Sequence, residues 1–143
     1  MFRKVLFVCV GNICRSPTAE VLLRHARPEL KVGSAGLHAL VDHPLDAKAA
    51  ELLGMHGLDG SAHRARQLTP DLLAAADLIL VMERHHHEQI LREAPQFSGK
   101  TFLAGKWRGS CEIPDPYRKS RAAFEHVYSE LDASVASWLP YLR

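Results

Sequence analysis

The sequence has few of the features that mark secreted or membrane proteins. It contains three cysteines in 143 residues, and an odd, small number argues against a disulfide framework. The apolar run at residues 5–10 follows Arg3 and Lys4 but is shorter than the core of a signal peptide. No later run approaches the ~20 apolar residues that a membrane-spanning helix needs. We therefore expect a cytoplasmic protein in a reducing compartment, without stable membrane insertion.

Several ligand-binding signatures are also missing. The full Gly-x-x-x-x-Gly-Lys-Ser/Thr pattern of a Walker phosphate loop is absent, because Ala94 stands where Gly99-Lys100-Thr101 would require the first glycine. Cys9 and Cys14 lack a second pair of ligands at zinc-site spacing. The net charge of +2 is too small to indicate nucleic-acid binding by itself. We expect no cofactor and no metal, and no nucleic-acid partner.

Apolar patterning predicts strands that alternate with helices over one domain, residues 1–143. Strands are expected at residues 5–10, 30–35, 78–82 and 101–103, and helices near 19–26, 49–56, 84–94 and 124–142, with a further short helix that begins at Pro70. Thr69 and Pro70 have the N-cap and N1 pattern of a helix start. The order predicts an α/β fold with a four-stranded parallel sheet and helices on both faces, in a Rossmann-like arrangement.

The loop after the first strand carries the strongest chemical signal. It reads Cys9-Val10-Gly11-Asn12-Ile13-Cys14-Arg15-Ser16-Pro17 and leads into a helix. Ligands of parallel sheets lie at the carboxyl ends of strands, and a helix N-terminus with convergent backbone N–H groups binds anions. Gly11 is expected to provide a turn with positive φ. A helix N-terminus and a nearby cation favour the thiolate form of cysteine, so Cys9 is a candidate nucleophile.

Arg15 adds planar, bidentate donors that match two oxygens of a phosphoryl group. Taken singly, these residues have simpler interpretations: a buried structural cysteine, a turn at Gly11-Asn12, a helix cap at Ser16. The three consecutive histidines at 85–87 point ~100° apart on a helix and are interpreted as a solvated helix end. Arg64 and Arg66 either attract anions or form a solvated basic loop, and Cys111 has no assigned role.

The combined motifs resemble those of the low-molecular-weight protein tyrosine phosphatases. Residues 8–17 match the family signature, and Asp115-Pro116-Tyr117 matches its general-acid motif. Ser34-Ala35-Gly36 and residues 63–67 match as well. The resemblance is strongest to bacterial members that act beside tyrosine autokinases in capsule or exopolysaccharide export.

This resemblance implies a role for each matching position. Cys9 would be the nucleophile, Arg15 the phosphate clamp and Asp115 the general acid. Further residues would bind the substrate: Val10, Gly11, Asn12, Ile13, Cys14, Ser16, Leu40 and Tyr117. Ser34 and His63 would support the loop. Leu40 replaces a tryptophan common in eukaryotic members, so their specificity is not transferred.

The implied function is hydrolysis of phosphotyrosine through a phosphocysteine intermediate, on a phosphotyrosine protein such as a tyrosine autokinase, by a monomer or weak oligomer. Cys14 is in addition a candidate redox residue that captures oxidised Cys9 as a disulfide. Two alternatives stay open: an arsenate reductase of the same fold, which needs further cysteines, and a non-catalytic phosphate-binding module.

Overall fold

The computed structural model describes residues 2–142, over which strands and helices alternate. The elements in chain order are β1 (Lys4–Cys9), α1 (Arg15–Ala26), β2 (Lys31–Gly36), α2 (Ala47–Met55), α3 (Pro70–Ala75), β3 (Leu78–Val81), α4 (Arg84–Glu93), β4 (Thr101–Leu103) and α5 (Arg121–Trp138). Short 3-10 helices follow α4 at Pro95–Lys100 and α5 at Leu139–Tyr141. The expected order of strands and helices is confirmed.

The four strands form one parallel sheet in the order β2-β1-β3-β4. The chain runs from central β1 outward to β2 and then crosses to β3 on the other side of β1. A crevice forms at such a switch point, outside the carboxyl ends of the strands. The sheet therefore directs a ligand to the residues that follow Cys9.

Successive residues of β1 contribute to two separate apolar layers. Val5, Phe7 and Cys9 belong to the core that includes side chains of α1, α2 and α5. Leu6 and Val8 belong to the core with side chains of α3 and α4. Because side chains alternate across a strand, a strand that is buried at nearly every position requires helices on both faces, as the sequence predicts.

The ends of the helices follow local sequence signals. The Thr69 hydroxyl accepts a hydrogen bond from the Leu72 backbone N–H at 3.2 Å, so the predicted cap is confirmed. Pro140 lies just beyond α5, and the expectation that Leu142 continues this helix is wrong: Leu142 forms a parallel β-bridge with Phe2. Val10, expected in β1, lies in the following loop. Across residues 2–142, no helix combines the length and apolarity required to cross a bilayer.

Candidate active site

The loop between β1 and α1 presents a row of backbone donors. The first hydrogen bond of α1 runs from the Thr18 N–H to the Cys14 carbonyl at 3.2 Å, so the preceding N–H groups lie outside the helical ladder. The backbone N–H groups of residues 10–15 donate to no other group among the described residues 2–142. With the N-terminus of α1 behind them, these donors form a concave site for an anion.

Asn12, not Gly11, supplies the tight bend in this loop. Asn12 has φ of +59° and no positive φ occurs at Gly11, so the expectation for Gly11 is wrong. Asparagine tolerates the left-handed region better than most residues. Hydrogen bonds of its side-chain amide offset the backbone strain. Nδ2 donates to Ser16 Oγ at 2.8 Å and to Ser34 Oγ at 2.9 Å, and Oδ1 accepts the Arg66 backbone N–H at 2.9 Å.

A second chain segment is bound tightly along the loop. The backbone N–H groups of Leu37, His38 and Leu40 donate to the carbonyls of Cys9, Val10 and Gly11 at 2.9–3.0 Å. A β-carbon at Gly36 would approach the Val10 carbonyl oxygen to 2.4 Å. Only glycine fits there, which gives a physical reason for the Ser34-Ala35-Gly36 motif. This pairing places Leu40 and His38 beside the loop.

The Cys9 thiol lies 2.9 Å from the Ser16 hydroxyl and is 2% exposed. Ser16 Oγ already accepts a hydrogen bond from Asn12, so its own proton is available for the Cys9 sulfur. The geometry therefore suits a sulfur nucleophile at the base of the loop.

Ser34 and His63 fix the loop from behind. The Ser34 hydroxyl accepts from Asn12 and donates to the Glu20 carboxylate at 2.6 Å. His63 Nε2 lies 2.6 Å from the Asn12 carbonyl oxygen, which can only accept, so the imidazole carries a proton on Nε2. The structure thus brings both predicted supporting residues to Asn12, and it adds Glu20, which sequence reasoning missed.

Arg15 is the least exposed charged side chain near the loop, at 1%. Its Nη1 donates to the Glu83 carboxylate at 2.7 Å and to the Ile113 carbonyl at 2.8 Å. Its Nη2 lies 3.8 Å from the Asp115 carboxylate. Because Nη1 is occupied, the rest of the guanidinium is oriented by protein contacts before any ligand binds. The Nε and Nη2 groups of Arg15 then remain as two parallel donors for an anion.

Glu83 is the main site residue that sequence reasoning missed. Burial acts against its ionisation, but the hydrogen bond and charge of Arg15 lower the pKa of Glu83 below its usual value. The Glu83 backbone N–H donates to His86 Nδ1 at 3.2 Å, and His86 Nε2 lies 3.3 Å from the Glu83 carboxylate. The signal that could have identified Glu83 is its place two residues after the end of buried strand β3.

His86 is fully buried, so the interpretation of residues 85–87 as a solvated helix end is wrong for this histidine, which stays neutral at ordinary pH. Burial first, and then the nearby Arg15 charge, lower the pKa of His86 to about 4. Glu83, His85 and His86 bring ligand atoms within 4.8 Å of one another, so these are the residues that could hold a cation. The Glu83 carboxylate, however, already forms an ion pair with the Arg15 guanidinium.

Asp115 and Tyr117 form the opposite wall of the site. Asp115 Oδ1 accepts the Tyr117 backbone N–H at 3.0 Å, and the Asp115 side chain is 47% exposed. Together with the loop they enclose a cavity of about 170 Å³, lined by residues 9–15, His38, Leu40, Asp115 and Tyr117. An acid at the mouth and a thiol and guanidinium at the base suit displacement at a bound phosphoryl group.

Cys14 lines the same cavity as Cys9. Burial, followed by the nearby Asp46 carboxylate, raises the pKa of the Cys14 thiol well above its usual range. Cys14 is therefore a protonated thiol at neutral pH. Cys111 does not line the cavity, and its sulfur lies 3.7 Å from Arg108 Nη1.

Arg66 is exposed and also contacts the supporting structure. Its Nε donates to the Ser34 carbonyl at 2.8 Å, and its backbone N–H binds Asn12. The exposed Arg64 donates to the carbonyl of its own neighbour, His63. Neither arginine lines the cavity, so the expectation that they attract the anion there gains no geometric support.

Comparison with known proteins finds sequence relatives over nearly the whole chain. Residues 4–143 match the sequence model of the family described as "Low molecular weight phosphotyrosine protein phosphatase". The chain is 51% identical over 143 residues to the low molecular weight protein-tyrosine-phosphatase Wzb of Escherichia coli K12, covering 100% of this chain and 97% of the relative.

Solved structures show the same fold. Wzb of Vibrio vulnificus in complex with benzylphosphonate superimposes with a TM-score of 0.96 at 44% identity, covering 99% of this chain and 100% of that chain. The tyrosine phosphatase Wzb from Escherichia coli K30 in complex with sulphate gives a TM-score of 0.95 at 48% identity, with 99% of each chain covered.

Proposed function

The chain belongs to the low molecular weight phosphotyrosine protein phosphatase family, and from this premise we propose that it hydrolyses phosphotyrosine in proteins through a phosphocysteine intermediate. One observation carries the mechanism. The Cys9 sulfur, hydrogen-bonded to Ser16 at 2.9 Å, lies at the base of a cavity that also contains the Arg15 guanidinium and the Asp115 carboxyl group. These are the groups that an in-line displacement at phosphorus requires.

In the first step the Cys9 thiolate attacks phosphorus and the bond to the tyrosyl oxygen breaks. Charge on the equatorial oxygens is stabilised by Arg15 and by the N–H groups of residues 10–15, which are in place before the reaction. Asp115 acts as the general acid and transfers a proton to the departing phenolate oxygen. The products are a free tyrosine side chain and an S-phosphorylated Cys9.

In the second step water attacks the phosphocysteine. Asp115, deprotonated by the first step, accepts a proton from this water, and the Cys9 thiolate leaves as inorganic phosphate forms. The Ser16 hydroxyl stabilises the leaving thiolate through the same hydrogen bond that stabilises the nucleophile. Asn12, Ser34 and His63 act indirectly, since they hold the loop in position.

An aromatic phosphate is the substrate class that the walls favour. Leu40 and Tyr117 line the cavity above the loop and offer apolar surface to a phenyl ring. A structural relative is in complex with benzylphosphonate, in which a methylene group joins a phenyl ring to a phosphonate. Leu40 supplies contact without aromatic stacking, so recognition of the ring falls mainly to Tyr117.

We further infer a cytoplasmic protein whose residues 1–143 form one catalytic domain, monomeric or weakly oligomeric. The proposed partner is a tyrosine autokinase that controls exopolysaccharide production. Support comes from the resemblance to bacterial family members with that role and from the identity to Wzb. Purified autokinase that loses its phosphotyrosine on incubation with this protein, and not with its Cys9→Ser variant, would support the assignment.

The alternatives have less support. An arsenate reductase needs a cysteine relay, and Cys111 does not line the cavity. A non-catalytic binding module gives no reason for an acid at the cavity mouth.

Hydrolysis of p-nitrophenyl phosphate and of a phosphotyrosine peptide tests the central claim. We expect wild-type protein to hydrolyse both, and Cys9→Ser to hydrolyse neither while still binding phosphate through Arg15 and the loop. Rapid quenching should trap one phosphate on Cys9 of the wild type. Residual turnover by Cys9→Ser well above background would rule out Cys9 as nucleophile.

A further inference from the structure

The chain turns sharply beside the cavity, at residues 116–119. The Lys119 N–H donates to the Pro116 carbonyl at 2.8 Å, which makes Tyr117 and Arg118 the two central residues of a β-turn. Arg118 has φ of +62°. Glycine or asparagine is preferred at the third position of a turn with that backbone. An arginine there is conformationally unfavourable, and such outliers concentrate at functional sites.

The Tyr117 ring holds the Arg118 charge at the mouth of the cavity. The guanidinium carbon lies 5.2 Å from the ring centroid, a cation–π distance. The same ring lines the cavity and is 37% exposed. Lys48 Nζ donates to the Lys119 carbonyl at 2.9 Å, which places a third cation at the turn. We call Lys48, Arg118 and Lys119 the basic rim.

Among the described residues, the basic rim carries no ion pair, which separates it from three arginines of this protein but not from exposed cations such as Lys31 and Arg64. Arg84, Arg108 and Arg121 each have a glutamate carboxylate within 2.8–3.0 Å. Within residues 2–142, the three cations of the rim have no carboxylate within the 4.0 Å distance of an ion pair. A solvated basic turn would explain the charges, but it would not explain an arginine in a left-handed conformation against the cavity wall.

We propose that the basic rim is a subsite for an anionic group that flanks the phosphotyrosine in the substrate protein. This inference rests on the proposed function. Leu40 and Tyr117 line the cavity and Arg118 stacks on the Tyr117 ring, so a peptide that leaves the cavity past Tyr117 would meet Arg118. The flanking anion is either a carboxylate side chain or the phosphate of a second phosphotyrosine. Both match the guanidinium fork, and the dianionic phosphate gains more from a cluster of three cations.

The test compares kcat/KM for four phosphotyrosine peptides that differ only in the residues next to the phosphotyrosine: glutamine, glutamate, lysine or a second phosphotyrosine. For wild type at low salt we expect glutamate to be favoured over glutamine about fivefold, as for an exposed ion pair, and lysine to be disfavoured. A second phosphotyrosine should give the largest ratio. All ratios should shrink as ionic strength rises.

Three variants assign the preference to the rim. Arg118→Gln and Arg118→Gly should both lower the glutamate-to-glutamine ratio toward one, since only Lys48 and Lys119 of the rim remain. Glycine suits the backbone conformation at this position. Lys31→Gln removes an equal charge at the amino end of β2, opposite the cavity, and should keep the wild-type ratio. Because each ratio is measured within one variant, a change in overall activity does not affect it.

The outcomes separate the two claims. If wild type hydrolyses the glutamine peptide and shows no preference among the four, the subsite is wrong and the phosphatase assignment stands. A preference that survives in both Arg118 variants would also overturn the subsite. If only the second phosphotyrosine raises kcat/KM relative to the glutamine peptide, the ligand of the basic rim is a phosphate and not a carboxylate. If no phosphotyrosine peptide is hydrolysed, the proposed function and this inference both fail.

Discussion

Arg15 and Glu83 form an ion pair with 2.7 Å between guanidinium nitrogen and carboxylate oxygen, and the arginine is almost fully buried. A buried cation without a partner is strongly destabilising. Glu83 therefore stabilises Arg15 when the cavity holds no anion, and its fixed position also sets the plane of the guanidinium. The pair links the stability of the fold to the geometry of phosphate binding.

Replacing Glu83 should consequently damage both stability and activity. We expect Glu83→Ala to lower the free energy of unfolding by about 3 kcal/mol, as for other broken buried pairs. It should also lower kcat/KM on the order of 10- to 100-fold, because a misplaced guanidinium weakens transition-state contacts. Glu83→Gln, which can still accept from Arg15, should recover part of the activity. Urea unfolding and p-nitrophenyl phosphate kinetics measure the two effects.

Phosphate provides an internal control for this prediction. An anion in the cavity supplies the charge that Glu83→Ala removes, so added phosphate should raise the melting temperature of this variant more than that of the wild type. Equal shifts in the two proteins would show that Glu83 does not stabilise the Arg15 charge.

The sequence was sufficient for the sheet and for the loop because both are encoded locally. Apolar runs at residues 5–10 and 78–82 determine buried parallel strands, and Cys9 and Arg15 are held by the short connection between β1 and α1. The Glu83 contact joins residues 68 apart in the chain, and no local pattern specifies it. It follows from strand order, since β3 lies next to β1 and Glu83, two residues beyond the end of β3, comes beside the loop.

Two local expectations are wrong because another interaction outweighs the local preference. Glycine has the lowest intrinsic cost at positive φ, which favours Gly11 over its neighbours for the bend. Asn12 adopts that conformation instead, because its amide gains hydrogen bonds to Ser16 and Ser34 that glycine cannot make. Leu142 continues the apolar spacing of α5, but Pro140 prevents helical hydrogen bonding and the chain pairs with Phe2.

Asp115→Asn should slow substrates with poor leaving groups far more than those with good ones. Protonation of the leaving oxygen matters little when the phenolate is already stable. With aryl phosphates whose phenols differ in pKa, we expect the variant to show a steep dependence of kcat on leaving-group pKa. For the least acidic phenol the loss should be on the order of 100-fold or more. Asp71→Asn, an exposed carboxylate in α3, is the matched control and should keep the wild-type slope.

Cys14 should determine how well activity recovers after oxidation. Peroxide converts the Cys9 thiolate to a sulfenic acid, and attack by Cys14 would release water and form a Cys9–Cys14 disulfide. After peroxide and then dithiothreitol, wild type and Cys111→Ser should recover, whereas Cys14→Ser should recover much less.

The pH dependence of that disulfide provides a second test. Thiolates are the attacking species, and burial raises the pKa of Cys14. The rate of disulfide formation, followed by mass spectrometry, should therefore rise throughout pH 6.5–8.5 without levelling off. A rate independent of pH, or oxidised wild type without the Cys9–Cys14 link, would exclude Cys14 as the resolving residue.

His86 should make the folded state sensitive to mild acid. Its pKa falls from 6.5 to about 4 on folding, so the unfolded chain binds a proton more readily than the folded protein. The stabilisation is present in full above pH 6.5 and is lost as the pH falls towards 4. At ~1.4 kcal/mol per pKa unit, this group alone should account for up to about 3 kcal/mol of lost unfolding free energy.

The matched variant is His86→Gln. Glutamine at this helix position can still accept the Glu83 backbone N–H, as in a capping box, but it cannot take up a proton. Urea unfolding between pH 7 and pH 4.5 should show a flatter decline for the variant than for the wild type, and the two curves should converge towards acid. Parallel curves would mean that His86 titrates normally in the folded protein, which its complete burial between Arg15 and Glu83 argues against.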